Sequence, residues 1–345
     1  MVVVKLSEFD YYLPPHLVAQ EPVEPRDSSR LLVLHRREGR IQHRRFRDLG
    51  EYLGAGDCLV LNDTRVRRAR LPGRLEGSGR PVEVLLLRET GPSVWEVLVK
   101  PGKKARPGTR LQFGEKGELK GEVLPGGSPG VRLLRFEGQG RWEEVMGRLA
   151  KVPLPPYIHR PLSDPERYQT VFAREEGSAA APTAGLHFTP GLLENLASSG
   201  VEIQYLTLHI GPGTFRPVRT VNIEDHHLHP EYFSIAPEVA AAVDRARQAG
   251  KRVVAVGTTV TRALEAVAGE DGRVRSGSGC TDLYIRPGWR FRVVDALITN
   301  FHLPRTTLLI LVCAFAGREA VMEAYREAVR EGYRFYSFGD AMLVI

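Results

Sequence analysis

A chain of 345 residues is about twice the usual domain length, and its 42% apolar content is enough for packed cores, which excludes a disordered protein. The net charge of +7 is carried by 40 Arg against 8 Lys, which suits a polyanionic partner, although an Arg-rich composition with a solvated surface gives the same figure. Cys58, Cys280 and Cys313 lie far apart and form no CxxC pair, no apolar run nears the roughly 20 residues of a membrane span, and Lys5, Glu8 and Asp10 interrupt any leader-like stretch, so a cytoplasmic protein without disulfides or membrane contact is expected.

Residues 30–35 (RLLVLH) and 58–62 (CLVLN) are short apolar runs bounded by polar residues or Gly, the pattern of buried strands. Between them Phe46, Leu49 and Leu53 keep helical spacing, which Gly54 and Gly56 end. From about 66 to 140 the texture changes. Short β-type runs at 82–87, 95–99, 110–113 and 131–136 alternate with Gly/Pro turns, which predicts a small barrel. A short helix over 142–151 follows, and Pro153, Pro155 and Pro156 mark a boundary.

Alternation of strand and helix then resumes. The pattern predicts helices over 191–198, 238–249, 259–267, 305–316 and 318–330, and strands over 201–208, 252–256 and 292–299. The fold class expected is α/β, a mostly parallel sheet with helices on both faces, plus an inserted small β-barrel. Residues 1–65 and 151–345 would form one discontinuous catalytic domain, with 66–150 as the inserted barrel.

The common catalytic signatures are absent: no GxxxxGK[ST], no HExxH and no GxSxG, and Arg216 replaces the third Gly of a GxGxxG that starts at Gly211. Four other segments carry chemistry. The strand at 252–256 runs through Gly257 into Thr258, Thr259 and a helix, a join that either caps the helix or presents hydroxyls and free N–H groups to an anion. Residues 177–188 (GSAAAPTAGLHF) place Ala181, Thr183 and Gly185 before His187 and Phe188, either a close-packed loop or a nucleoside-sized pocket with a proton-transfer group and a stacking face. Residues 207–217 (TLHIGPGTFRP) end a strand at His209 and present Gly213, Thr214 and Arg216 beyond it. Asn300, His302 and Arg305 lie between a strand closed by Asp295 and a further helix. The run from Asp225 to Glu231 contains His226, His227 and His229, but no second ligand cluster accompanies it, and no metal is expected. The tail at 333–340 adds aromatics, which packing explains, and Asp340, which it does not.

FDYYLPPHLVAQEPVEPRDSSRLLVL, LVLNDTRV, VPLPPYI, RYQTVFA, GSAAAPTAGLHFT, TLHIGPGTFRPV, HPEYFSI, VAVGTTVTRALE, TDLYIRPG, ITNFHLPRTTLLILVCAFAG and YRFYSFGDAML run in this order from residue 9 to 343. Together they resemble the S-adenosylmethionine:tRNA ribosyltransferase-isomerase family of queuosine biosynthesis, with the barrel region matching least. The resemblance implies transfer and isomerisation of the ribosyl part of S-adenosylmethionine onto 7-aminomethyl-7-deazaguanine at the wobble position of tRNAs with GUN anticodons. Epoxyqueuosine-tRNA forms, and adenine and methionine leave. S-Adenosylmethionine would be a co-substrate, with no permanently bound cofactor, and a monomer is expected. His187, His209 and His302 are then candidates for proton transfer, with Asp295 or Asp225 as orienting carboxylates. Ala181, Thr183, Gly185, Phe188, Gly213, Thr214, Thr258, Thr259 and Asn300 are candidates for holding substrate, and Arg216 and Arg305 for the phosphates beside the wobble base. Arg65, Lys100, Lys103 and Lys104 are candidates for gripping the tRNA; for the lysines a solvated barrel loop is the alternative.

Overall fold

The computed structural model describes residues 4–127, 130–138, 140–211 and 218–345. The chain divides into two compact units, residues 1–65 with 155–345, and residues 66–154. The first unit opens with β1 (Arg30–His35), β2 (Arg40–Arg45), β3 (Cys58–Asn62) and the short β4 (Thr64–Val66). The Phe46, Leu49, Leu53 stretch expected to be a helix forms a 3-10 helix, Phe46–Glu51.

The second unit is a closed barrel with strand order β10-β7-β6-β5-β8-β9. Its strands are β5 (Arg70–Leu75), β6 (Pro81–Gly91), β7 (Val94–Lys100), β8 (Arg110–Phe113), β9 (Leu119–Leu124) and β10 (Arg132–Gly138). Four of these match expected runs, whereas β5 and β9 do not. Strand β5 hides behind Pro72 and Gly73, which read as a turn. A Cβ at Gly73 would stand 2.5 Å from the Phe113 ring, so the glycine lets a neighbouring strand's ring lie flat against the backbone. Val84, Val97, Leu111, Phe113, Val123 and Leu134 are fully buried, and closure leaves no open sheet edge. Helix α1 (Trp142–Leu149) packs on the same unit, with Trp142 stacked on Trp95 at 5.5 Å between centroids.

The chain then builds β11 (Glu175–Ser178), α2 (Pro190–Ser198), β12 (Glu202–Leu208), β13 (Glu231–Ile235), α3 (Pro237–Gln248), β14 (Val253–Val256) and α4 (Thr258–Val267). After these come β15 (Gly277–Thr281), β16 (Ala296–Asn300), α5 (Thr307–Ala316), α6 (Arg318–Arg330) and β17 (Ala341–Val344). Nine strands pair in the order β15-β13-β12-β3-β14-β16-β17-β1-β2.

The sheet is mixed, not mostly parallel. Pairs β12–β3, β3–β14, β14–β16 and β17–β1 are parallel, and β15–β13, β13–β12, β16–β17 and β1–β2 are antiparallel. The reversal at β17 has a simple cause. Two helices, α5 and α6, separate it from β16, joined at Gly317 in the left-handed region (φ 86°). One helix returns a chain to the start of the next parallel strand, whereas a pair brings it back to the end it left.

Period-2 alternation gives the sheet two apolar faces. Cys58, Val60, Val253, Ala255 and Leu297 turn to a core built with α3, α4, α5 and α6. Leu59, Leu61, Val254, Val256, Ala296 and Ile298 turn to a second core with Phe46, Leu49, Phe188 and Leu192. No helix among the described residues is long and apolar enough to cross a membrane.

One buried carboxylate fixes the approach to β16. Glu265 on α4 is 2% exposed and accepts from the backbone N–H groups of Arg292, Val293 and Val294 at 3.0 Å and from Trp289 Nε1 at 3.3 Å. Removing it strands two buried backbone donors, Val293 and Val294, and a third, partly buried one at Arg292. Glu265→Ala is therefore expected to destabilise the protein by about 3 kcal/mol or more in denaturant unfolding, and Glu265→Gln by less; a loss below about 1 kcal/mol for the alanine variant would refute this role.

Candidate active site

Strands β3, β14 and β16 are mutually parallel, with register pairs Val253–Cys58 and Val256–Ile298, so Asn62, Val256 and Asn300 end at one edge of the sheet. Carboxyl ends of parallel strands are where open α/β sheets bind ligands. At this edge Gly257 takes φ 94° and donates its N–H to the Ile298 carbonyl at 2.7 Å, and the chain turns directly into α4. Gly257 is itself the cap of α4, and no side chain caps it. Thr258 and Thr259, 6% and 8% exposed, thus do not act as caps. The first-turn N–H groups have no acceptor within their own helix and carry the positive end of its dipole.

A cavity opens there, lined by Ala181, Thr183, Thr258, Thr259, Asn300 and His302, with Ile210 and Tyr336 also on its wall. Its volume is about 50 Å³. A nucleoside pocket measures several hundred, so such a ligand enters only if the walls move apart.

His187 sits behind this wall, 4% exposed and stacked on Phe46 at 4.9 Å. Both of its nitrogens are engaged, Nδ1 with Ser29 Oγ at 2.7 Å and Nε2 with the Asn300 amide nitrogen at 3.2 Å. Burial, reinforced by the nearby Arg334 charge, pushes its pKa down to about 3. His302 is on the wall itself. Its Nε2 bonds Thr299 Oγ1 at 2.8 Å, its backbone N–H donates to Tyr325 Oη at 3.0 Å, and its carbonyl accepts from Tyr11. Burial alone pushes its pKa to about 3. Both rings are neutral at pH 7.

His209 lies outside that lining. Its Nδ1 bonds Thr64 Oγ1 at 2.7 Å, its ring stacks on Tyr232 at 5.5 Å, and Gly177 leaves it room, since a Cβ there would come within 2.5 Å of Nε2. Its neighbour Ile210 reaches the cavity.

Several expected site residues sit elsewhere. Phe188 has no exposure and packs edge-on against Phe46 at 4.9 Å, so it offers no stacking face to a ligand. Gly185 is small because Phe172 and Thr170 would each lie 2.9 Å from its Cβ, a packing demand and not a ligand's approach. Asp295 precedes β16 instead of closing a strand. It accepts from Val253 N–H at 2.9 Å at the opposite edge of the sheet, roughly 16 Å from Asn300 at strand rise, too far to orient a group in the cavity. Asp225 is exposed and bonded to Asn222 Nδ2 at 3.2 Å. Arg305 pairs with Asp10 on the surface. Arg65 bonds Glu166 at 2.6 Å. In the barrel unit Lys100, Lys103 and Lys104 are exposed around the 3-10 turn Gly102–Lys104. Gly213, Thr214 and Arg216 lie outside the described residues. In the His-rich run, His226 meets the Tyr284 ring edge-on, and no group of three His, Cys, Asp or Glu able to hold a metal occurs among the described residues.

Sequence reading missed Ser29, Thr299 and Tyr336. Ser29 and His187 are separated by 158 residues, and nothing local signals their contact. Asp340, which packing left unexplained, ties the tail to β1 by accepting from the backbone N–H groups of Arg30 at 2.9 Å and Arg334 at 2.8 Å.

A family model described as queuosine biosynthesis protein matches residues 6–344. Relatives from Symbiobacterium thermophilum and Moorella thermoacetica, both named S-adenosylmethionine:tRNA ribosyltransferase-isomerase, are 58% and 57% identical over 99% of this chain and 100% of their own. The crystal structure of an S-adenosylmethionine tRNA ribosyltransferase from Thermotoga maritima is 42% identical, covers 98% of this chain and 100% of its own, and superposes with a TM-score of 0.56. With matches spanning nearly every residue, the chain belongs to the queuosine biosynthesis protein family.

Proposed function

We propose that the cavity at the first turn of α4 is the S-adenosylmethionine site of a tRNA-modifying reaction. The chain transfers the ribosyl part of S-adenosylmethionine to 7-aminomethyl-7-deazaguanine in tRNA and isomerises it, releasing adenine and methionine; full-length relatives with more than half their residues identical support this. The acceptor base stands at the wobble position of GUN anticodons, and the enzyme works as a cytoplasmic monomer with no permanently bound cofactor.

The observation that supports the placement is the coincidence of the α4 N-terminus with two buried histidines and a buried amide at one sheet edge. The methionine carboxylate suits the first turn of α4, where N–H groups and the helix dipole favour negative charge. The sulfonium acidifies the C5′ position, and a base there removes the proton. His302 lies on the cavity wall with a neutral ring, and we assign it this proton; burial weakens it as a base, so the acidity of the C5′ position must carry the step. A ring with so low a pKa is a strong acid once protonated, which suits passing the proton on to the departing adenine. His209, held by Thr64 and Tyr232, is a further proposed site residue, and Lys100, Lys103 and Lys104 of the barrel unit are proposed to contribute to tRNA backbone binding.

Incubation with labelled S-adenosylmethionine and tRNA carrying the aminomethyl base should release adenine and methionine in equal amounts, whereas S-adenosylhomocysteine as product would refute the reading. His302→Ala is expected to lower kcat by about 100-fold or more with tRNA affinity unchanged; near-normal turnover would remove His302 from proton transfer.

The buried rings also set a pH dependence. Their folded pKa values lie below that of an unfolded histidine, so the unfolded chain gains protons first as pH falls. Their contribution is whole above about pH 6.5 and is lost progressively towards pH 3, on the order of 2 kcal/mol per ring by pH 5. Unfolding free energy measured at pH 7 and pH 5 should show this drop, reduced in His302→Gln; a pH-independent value would contradict the neutral assignment.

A further inference from the structure

One polar atom at the cavity is buried and meets no partner among the described residues. Asn300 is 2% exposed, lines the cavity, and its Oδ1 meets no hydrogen-bond partner among the described residues. Burying an amide oxygen without a partner is unfavourable, so such an atom on a cavity wall points to a ligand.

The amide cannot turn over to escape this. Nδ2 donates to the Tyr336 carbonyl at 2.9 Å, and that carbonyl can only accept. Reversal would set two oxygens against each other. The same Nδ2 lies 3.2 Å from His187 Nε2, which therefore accepts, so the His187 proton is on Nδ1 and is donated to Ser29 Oγ at 2.7 Å. Phe46, stacked on the ring, holds its plane. Ser29, His187 and the Tyr336 carbonyl thus fix both hydrogens of the amide and leave its oxygen as the free valence. Tyr336 itself takes φ 75°, a left-handed conformation that a bulky side chain adopts at a cost and that directs its carbonyl to Asn300.

We propose that Asn300 Oδ1 is the recognition acceptor of this site, taking a hydrogen bond from an N–H or O–H of the co-substrate, with Ser29 and His187 as positioning residues that hold it. This rests on the placement of S-adenosylmethionine in the cavity. Asn300 stands beside the first turn of α4, because Gly257 N–H and the Ile298 carbonyl join the two strands just before them. A ligand whose carboxylate meets that turn brings its α-ammonium, ribose hydroxyls or adenine amine to Asn300. All three are donors, and all three match an acceptor that has no other partner among the described residues. His187, with both nitrogens engaged, is no proton carrier in this arrangement.

Calorimetric binding separates the sources, with S-adenosylmethionine and 5′-deoxy-5′-methylthioadenosine as probes, the second lacking the ammonium. Asn300→Ala should weaken S-adenosylmethionine binding about tenfold or more. If the ammonium is the donor, methylthioadenosine is unaffected; if a hydroxyl or the adenine amine is, both weaken. His187→Phe should reproduce the loss as a rise in KM. His187→Gln, whose carbonyl can accept from Asn300 but cannot carry a proton, should restore binding to within about threefold of wild type. Melting curves and tRNA affinity verify that each variant is folded. Binding of both probes by Asn300→Ala within about twofold of wild type would overturn the proposal, as would a His187→Gln enzyme with normal KM and abolished kcat. Ala181→Leu, which fills the cavity, tells the two levels apart. If it abolishes binding and Asn300→Ala does not, only this inference fails; if it binds normally, the placement of the co-substrate fails and this inference with it.

Discussion

The hydrogen bond from Gly257 N–H to the Ile298 carbonyl, 2.7 Å long, is the last rung between two parallel strands, and the candidate site is arranged around it. On one side of that rung the chain leaves the sheet as α4, with its first-turn N–H groups unpaired within the helix. On the other, Thr299 and Asn300 finish β16 and His302 follows. Because the strands are parallel, both sets of groups arrive at the same edge. An antiparallel pair would have sent the helix end and the amide to opposite ends of the sheet.

Burial then decides what those groups can do. His187 and His302 lie where a charged ring is strongly disfavoured, and each is neutral for that reason. A neutral ring with fixed partners becomes a directional hydrogen-bonding element. His187 spends its nitrogens on Ser29 and Asn300, and His302 spends Nε2 on Thr299, leaving Nδ1 for other partners. Two histidines of similar burial thus differ in their hydrogen bonding, His187 with both nitrogens engaged and His302 with Nε2 bonded to Thr299.

Much of the fold could be read from the chain because it rests on local periodicity. The runs at 58–61 and 253–256 are short and wholly apolar, and they fall in strands buried on both faces. Strand β5 was hidden because Pro72 and Gly73 signal a turn, while the reason for Gly73 is the Phe113 ring on the next strand. The direction of β17 was hidden because it depends on α5 and α6 packing as a pair, which periodicity does not encode. At the candidate site, the shared position of Thr258, Thr259, Asn300 and His302 on one cavity was legible from strand–helix joins, since the joins after parallel strands fall at the same edge of the sheet. Phe188 was misjudged because an aromatic beside a histidine looks the same in sequence whether it faces a ligand or a core. Ser29 and Tyr336 were invisible, because their contacts with His187 and Asn300 exist only after strands β1, β16 and β17 come together.

The orientation of Asn300, set by the Tyr336 carbonyl, requires that His187 carry its proton on Nδ1 and stay neutral at working pH. Nitrogen-15 NMR of the protein with labelled histidine reads this directly, since protonated and unprotonated ring nitrogens resonate far apart. The structure predicts a His187 signal pair of the neutral Nδ1–H form that stays constant between about pH 5 and 8, well above a folded pKa of about 3. A His187 resonance that titrates between about pH 6 and 7, the range of an unperturbed imidazole, would contradict it. So would a ring with its proton on Nε2, because Asn300 would then have its oxygen turned to the ring and no acceptor would face the cavity.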